Sequence, residues 1–410
     1  MRKLLQIGSS LNCGAPGKIA EQIGLLAISR GWDVYMAHGV RHSNPSQLKT
    51  IPMVTPHEER VHALYSLLLD RHGLGPDGKT KQLVEWIKEH KPDIIHLHNI
   101  HGYFLNYKTL FEYLATRDIP VVWTFHDFWP ITGHCAHFDY NGCYKWRTTC
   151  SDCKFHREYP CSVIDRSKRN YLLKKQLFTG LSNVTLVPVS NWVGSFLSQS
   201  FLKKYPIHGI YNGVDTKMFF PRTSDIKSRL GLEKKFVLLG VASPWGAMKG
   251  LDDYKQLRKN LNNQFAIVMV GLSKKQIKDL PLGIVGIERT QNQDELAEYY
   301  SMADSTLNLS YQETFGMTTI EGMACGTPGI VYNKTASPEL VTPETGIIVE
   351  PGNINNIVSA IYEIKENGKQ FYTKQCRERV IKHFDKDKCF EEYIDLYNIL
   401  TCYSVGGKSL

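Results

Sequence analysis

STLNLSYQETFGMTTIEGMACGTPGIVYN, residues 305–333, reads as a strand, a turn, a helix and a second strand in succession. A helix that crosses between two such strands lays them parallel in one sheet. The alternation continues on both sides, with KKFVLLGVAS, FAIVMVGL and GIVGIER before it and GIIVEP after it. These strands predict a Rossmann-like sheet in the second half of the chain.

A second series precedes it. KLLQIG, WDVYMAHG, PDIIHLHN, VVWTFHD and VTLVPVS are strand-like, and TKQLVEWIKEH is helical. Continuous apolar runs in these strands fit sheets covered by helices on both faces. NWVGSFLSQSFLKKYPIHGIYNGVDTKMFFP, with one short strand at IHGIYNG, reads as the connection. The expected organisation is α/β throughout: a domain over 1–190, a domain over 191–387, and a helical end, 388–410, that packs back on either one. Doubly wound sheets bind ligands at the carboxyl ends of their strands. That directs attention to the loops after Ile7, His98, Asp127, Ala242, Val270 and Ser310.

The 410 residues suffice for two domains with their own cores. A composition 42% hydrophobic and 22% charged is that of a folded chain. The net charge of +9 suits anionic partners such as nucleotide phosphates, lipid diphosphates and acidic membrane surfaces. Lys and Arg are scattered without an interleaved aromatic stripe, so no nucleic-acid partner is expected. MRKLLQIGSS is far short of a signal-peptide core, and no run of about eighteen apolar residues occurs. A cytoplasmic location is expected, with any membrane contact peripheral, at the inner face.

Glu313 and Glu321 lie eight residues apart around Phe315, Gly316, Met317 and Thr318. With Glu313 in the loop before the helix, the amides of Gly316, Met317 and Thr318 point out of a helix N-terminus, where diphosphates bind. One carboxylate would then grip sugar hydroxyls and the other a ribose.

This segment resembles the E-x7-E signature of the retaining glycosyltransferases of family 4, which have the GT-B fold. GAPGKIA, HLHN, TFHD, VSNW, YNGVD and KG extend the resemblance over nearly the whole chain. Within the family the chain looks similar to transferases of bacterial surface polysaccharides, colanic-acid types included. The resemblance implies two facing Rossmann-like domains with a cleft between them. It also implies a nucleoside diphosphate sugar donor of UDP or GDP type, held mainly by the C-terminal domain. The acceptor would be a glycan or a polyprenyl-diphosphate-linked saccharide, held mainly by the N-terminal one. Glu313 would bind the donor sugar, Thr314 and the amides from Phe315 to Thr318 sugar and diphosphate, and Glu321 the ribose. Lys249, in MKG, would stabilise charge developing on the leaving phosphate. His126 would touch the donor sugar, and Gly17 would let its turn approach the diphosphate, with Lys18 near by. Asn99, His101 and Asp127 would line the acceptor side. Many relatives carry Gly-Arg after the first strand of the C-terminal domain. Here VASPWGAMKG leaves Lys249 as the cation of that loop.

Other readings remain beside this one. His96 and His98, two apart on a strand, share a face and hint at metal. A catalytically silent nucleotide-sugar-binding protein would suit the missing arginine, and an epimerase would use the same scaffold. No DxD-like pair stands at a strand end, so catalysis is expected to need no cofactor. Cys135, Cys143, Cys150, Cys153 and Cys161 are five of the ten cysteines and lie in an insertion, 134–161. Cys135, Cys143 and the Cys150/Cys153 pair would supply four thiolates to a structural Zn ion, with Cys161, His134, His137 or His156 as substitutes. Their spacing is no standard zinc pattern, so reduced thiols or disulfides stay open. Trp146, Lys145 and Arg147 in the insertion would contact a sugar or a lipid-linked acceptor.

Overall fold

The computed structural model describes residues 1–406, with side chains as far as Cys402. The chain divides into two compact units, Met1–Tyr211 with Phe390–Leu410, and Asn212–Cys389.

The first unit runs β1 (Lys3–Gly8), α1 (Gly14–Ser29), β2 (Asp33–His38), β3 (Lys49–Pro52), α2 (Pro56–Leu69), α3 (Gly78–His90), β4 (Ile94–Leu97), α4 (Tyr107–Leu114), β5 (Val121–Phe125), α5 (Ser167–Phe178), β6 (Val184–Pro188) and α6 (Asn191–Leu197). Its six strands are parallel in the order β3-β2-β1-β4-β5-β6. Every residue of β4, β5 and β6 is buried, as strands packed on both faces require. The short edge strand β3 carries mostly exposed residues and ends in a proline, so it has no strand signal in the sequence.

The second unit runs α7 (Ile226–Arg229), β7 (Phe236–Val241), α8 (Leu251–Lys259), β8 (Phe265–Val270), α9 (Lys274–Lys278), β9 (Ile284–Ile287), α10 (Gln293–Met302), β10 (Ser305–Asn308), α11 (Met317–Ala324), β11 (Gly329–Tyr332), β12 (Gly346–Val349), α12 (Ile354–Asn367) and α13 (Lys369–His383). Its order, β12-β11-β10-β7-β8-β9, repeats that of the first sheet. In each sheet the order reverses between the first and fourth strands, which makes β1/β4 and β7/β10 the switch points where ligands bind.

Two expectations need correction. The domain boundary expected after residue 190 lies at 211/212. Ser190 caps α6, and Phe196 on α6 packs edge-on against Phe128 and Phe138, which holds 191–211 in the first unit. IHGIYNG forms no strand; it makes one bridge, Ile207 to Leu186 of β6, and the Ile210 amide donates to Pro188 O at the end of that strand. The last helix, α14 (Lys386–Gly406), joins the first unit from Phe390 onward. There Tyr393 and Tyr397 bond Thr124 and His96. Among the described residues no helix is long and apolar enough to cross a membrane.

Candidate active site

In the second unit the residues singled out gather at the β7/β10 switch point. After β7 the chain makes a 3-10 turn, Ala247–Lys249, and then Gly250 with φ +69°. A Cβ on Gly250 would lie 2.2 Å from the carbonyl oxygen of Leu309, so glycine alone allows the loops after β7 and β10 to touch. The Tyr311 amide donates to Met248 O at 2.8 Å and joins them. This contact sets Lys249 Nζ 2.5 Å from Glu313 Oε1.

Glu313 stands in the loop before α11, not on the helix. Its amide donates to Thr335 Oγ1 at 3.1 Å, and its carbonyl accepts from the Ala336 amide at 3.2 Å. Thr314 is half-buried, and Gly316, at φ +111°, turns the chain into α11. The first amides of that helix, at Met317 and Thr318, have no partner within it. Phe315 is a core residue whose ring meets Phe384 at 5.9 Å, so only its backbone is available to a ligand. Glu321 sits one turn into α11 and accepts from the hydroxyl of buried Tyr300 at 2.8 Å. Burial and the neighbouring carboxylate raise the Tyr300 phenol well above its usual range, so it remains a donor and fixes that carboxylate.

The first unit builds a different device at β1/β4. Gly17 is buried in α1, and a Cβ there would meet Ser10 Oγ at 2.8 Å; the glycine lets α1 press on the turn after β1. Lys18 is exposed. Asn99 is half-buried, and its carbonyl accepts from the Ser9 amide at 2.9 Å. Gln6 Nε2 donates to Ala20 O at 3.0 Å, which leaves its Oε1 to accept from His98 Nε2 at 2.9 Å. His98 Nδ1 must then carry a lone pair, and it accepts from His126 Nε2 at 3.2 Å. Burial pushes the His126 ring down to about 4, against the opposing pull of Asp127, and holds His98 well below its ordinary value. His126 is therefore neutral near pH 7, and its Nδ1 is an acceptor.

Asp127 faces elsewhere. Its Oδ2 accepts from His101 Nε2 at 2.6 Å and its Oδ1 from the Trp129 amide at 2.9 Å. Burial raises this carboxyl, but the His101 ring and that amide outweigh it and hold the group at about 2. His101 also approaches His72 Nε2, at 3.4 Å, and the Tyr159 hydroxyl, at 3.3 Å. His96 is a structural residue: Nε2 bonds Thr124 Oγ1 at 2.7 Å and Nδ1 bonds Tyr397 OH at 2.6 Å.

The insertion departs from expectation. Trp146 is buried against Phe138 and Phe196, so it presents no face to a sugar. Lys145 Nζ is tied to the carbonyls of Ser151 and Asp152. Arg147 stacks over Tyr144 and keeps an exposed head. Sequence reasoning missed Gln6, Tyr300 and His72. Gln6 did carry a signal, as the polar residue in the otherwise apolar strand KLLQIG.

Two family models match the chain. Glycosyltransferase Family 4 covers residues 25–218, and Glycosyl transferases group 1 covers residues 225–383. A chain of Escherichia coli (strain K12) named for glycosyl transfer in colanic acid biosynthesis, WcaC, is 29% identical over 184 residues, 43% of this chain and 45% of that one. N-acetyl-alpha-D-glucosaminyl L-malate synthase of Bacillus anthracis is 24% identical over 208 residues, 47% and 53% of the two chains. The matches thus span about half the length of these curated relatives. Among solved structures, sucrose-phosphate synthase from Thermosynechococcus elongatus superposes with a TM-score of 0.73 at 19% identity, over 98% of this chain and 100% of that one. Anabaena Alr3699/HepE in complex with UDP-glucose does so with a TM-score of 0.67 at 14% identity, over 97% and 100%.

Proposed function

We propose, from the premise that this chain belongs to the GT-B glycosyltransferases, that it moves a sugar from a nucleoside diphosphate sugar to a saccharide acceptor in bacterial polysaccharide biosynthesis. The observation that carries this reading is the β7/β10 switch point. There a lysine, a carboxylate and the N-terminus of α11 converge, with a second carboxylate held by Tyr300 one turn away. Amides at the start of α11 suit the diphosphate, and Lys249 offsets charge on its leaving oxygen. Glu313 accepts from donor-sugar hydroxyls, and Glu321 accepts from the ribose. The donor is of UDP or GDP type; the HepE neighbour, which holds UDP-glucose, supports a nucleotide-sugar donor. His126 Nδ1 accepts from a hydroxyl of the sugar. Asn99, His101 and Asp127 serve the acceptor, a glycan or a polyprenyl-diphosphate-linked saccharide.

The bond from the anomeric carbon to the phosphate oxygen breaks as the acceptor oxygen bonds the same carbon on the same face, so configuration is retained. The acceptor proton passes to the leaving phosphate, and the chemistry requires no cofactor. The reaction is cytoplasmic, with peripheral contact at the inner membrane face. Exposed Leu64, Tyr65, Leu67 and Leu68 on α2, with Arg71 over the Tyr65 ring, support such contact.

The test is a donor screen with UDP-, GDP- and ADP-sugars, in which released nucleoside diphosphate is recorded for wild type and Glu313→Ala. One donor should be hydrolysed slowly by the wild type and about 10²–10³-fold more slowly by the variant. No binding and no turnover of any donor, with polyprenyl-diphosphate sugars present, would make the chain a silent binding protein. The loop after β7, which lacks an arginine, is what favours that second reading.

A further inference from the structure

Between β5 and α5, residues 126–166 contain only two 3-10 turns, Trp129–Ile131 and Lys145–Arg147. Irregular segments of more than about 15 residues are uncommon in compact domains, and one that is ordered needs a fastening of its own. Part of it is an aromatic cluster, in which Phe138 meets Phe128 at 4.7 Å and Trp146 at 5.0 Å. Cys135, Cys143, Cys150 and Cys153 lie together elsewhere in the segment, on the wall of one cavity of about 250 Å³. Cys161, the fifth cysteine, is exposed and does not line that cavity.

We propose that these four cysteines bind one structural Zn²⁺ as a tetrahedral tetrathiolate that fastens the insertion. All four are free thiols. Among the described residues no three His, Cys, Asp or Glu side chains are placed so that they could hold an ion as they stand, so binding requires the four cysteine side chains to turn toward one another. Their surroundings suit that closure. Gly133 has no room for a side chain, since a Cβ would lie 2.8 Å from that of Cys150 and 2.2 Å from Ser167 O. Zn²⁺ with four thiolates carries a formal charge of 2−. Lys174 is buried, its Nζ donating to the carbonyls of Trp129 and Thr132 at the start of the insertion, and in its charged form it offsets part of this charge. Binding displaces the four thiol protons to solvent and involves no redox step.

His134 borders the same cavity. Its Nδ1 bonds Asp70 Oδ1 at 2.8 Å, and its Nε2 has no partner. It is the competing ligand, and the test separates it.

The full chain, purified without metal-affinity resin, is assayed for metal by mass spectrometry and loaded with Co²⁺ in place of Zn²⁺. One zinc per chain and the absorption of tetrahedral cobalt with four sulfur ligands are expected. Cys150→Ser and Cys153→Ser should each lose the zinc, while Cys161→Ser and Cys13→Ser keep it. Because a ligand variant can fail to fold, wild-type thiols are also titrated. Chelation should expose four further reactive thiols, and added Zn²⁺ should protect them again. Less than about a tenth of a zinc per chain with no cobalt uptake, iron in its place, or a Cys150–Cys153 disulfide in the isolated protein would each overturn the site. Loss of zinc in His134→Gln, with retention in any one of the four cysteine variants, would overturn the four-thiolate assignment.

Discussion

His126 shows how a single residue's role depends on partners it does not touch. The Gln6 amide orders the chain Gln6, His98, His126 in one hydrogen-bonding sense, and so decides that Nδ1 of His126 accepts. Gln6→Leu removes the acceptor for His98 Nε2 and lets both rings change tautomer. It should lower kcat about tenfold, the worth of one net hydrogen bond of ~1.5 kcal/mol, and leave the donor KM unchanged. His126→Ala should lower kcat at least as far. A fall in kcat/KM carried wholly by KM would show instead that the relay has no part in the reacting state. Within the second unit, Lys249 and Glu313 depend in the same way on the backbone contact made at Gly250.

At the scale of elements, the candidate site is built from loops and helix starts, and glycines set their geometry. Gly250 and Gly316 both have positive φ, at +69° and +111°, and the first also has a carbonyl where a Cβ would go. Gly250→Ala should cost about 1–3 kcal/mol from backbone strain, with more from the clash at Leu309. A melting temperature lower by about 2–4 °C per kcal/mol follows for a unit of this size, measurable by calorimetry. Because the same change separates the β7 and β10 loops, donor affinity should fall with stability. An alanine variant with unchanged melting temperature and unchanged donor binding would show that the loops can part without consequence.

On the scale of the molecule, histidine is distributed unevenly: of fifteen, only His383 lies in the second unit. In the first unit, burial lowers His62 and His126 to about 4, and His72, His96 and His98 well below the ordinary value. Between pH 6.5 and 4 the unfolded chain binds protons that the folded unit does not, so stability falls as pH falls through that window. At pH 5 the loss from His62 and from His126 is ~2 kcal/mol each, at 1.36 kcal/mol per pH unit. Hydrogen exchange at pH 7.5 and 5.0, corrected for intrinsic rates, should therefore show protection lost first in β1, β4 and β5. The strands β7, β8 and β10 should hold; equal loss in both sheets would refute this account.

Strand periodicity and loop chemistry are legible in the amino-acid sequence itself. STLNLS and KLLQIG are local patterns, and Glu313, Glu321 and the amides between them are close along the chain, so the two sheets and this part of the candidate site can be read directly. The edge strand β3, the boundary at 211/212 and the burial of Trp146 cannot. Nor can the bonds of Lys249 to Glu313, 64 residues apart, of His98 to Gln6, 92 apart, or of His96 to Tyr397, 301 apart. Local sequence by itself determined which residues form strands and which types of side chain their ends carry, because propensity and side-chain periodicity act over a few residues. Strand order and packing decided which of those ends meet, and therefore which ring carries a lone pair and which carboxylate holds a cation, because such pairing depends on closing long loops that no local pattern encodes.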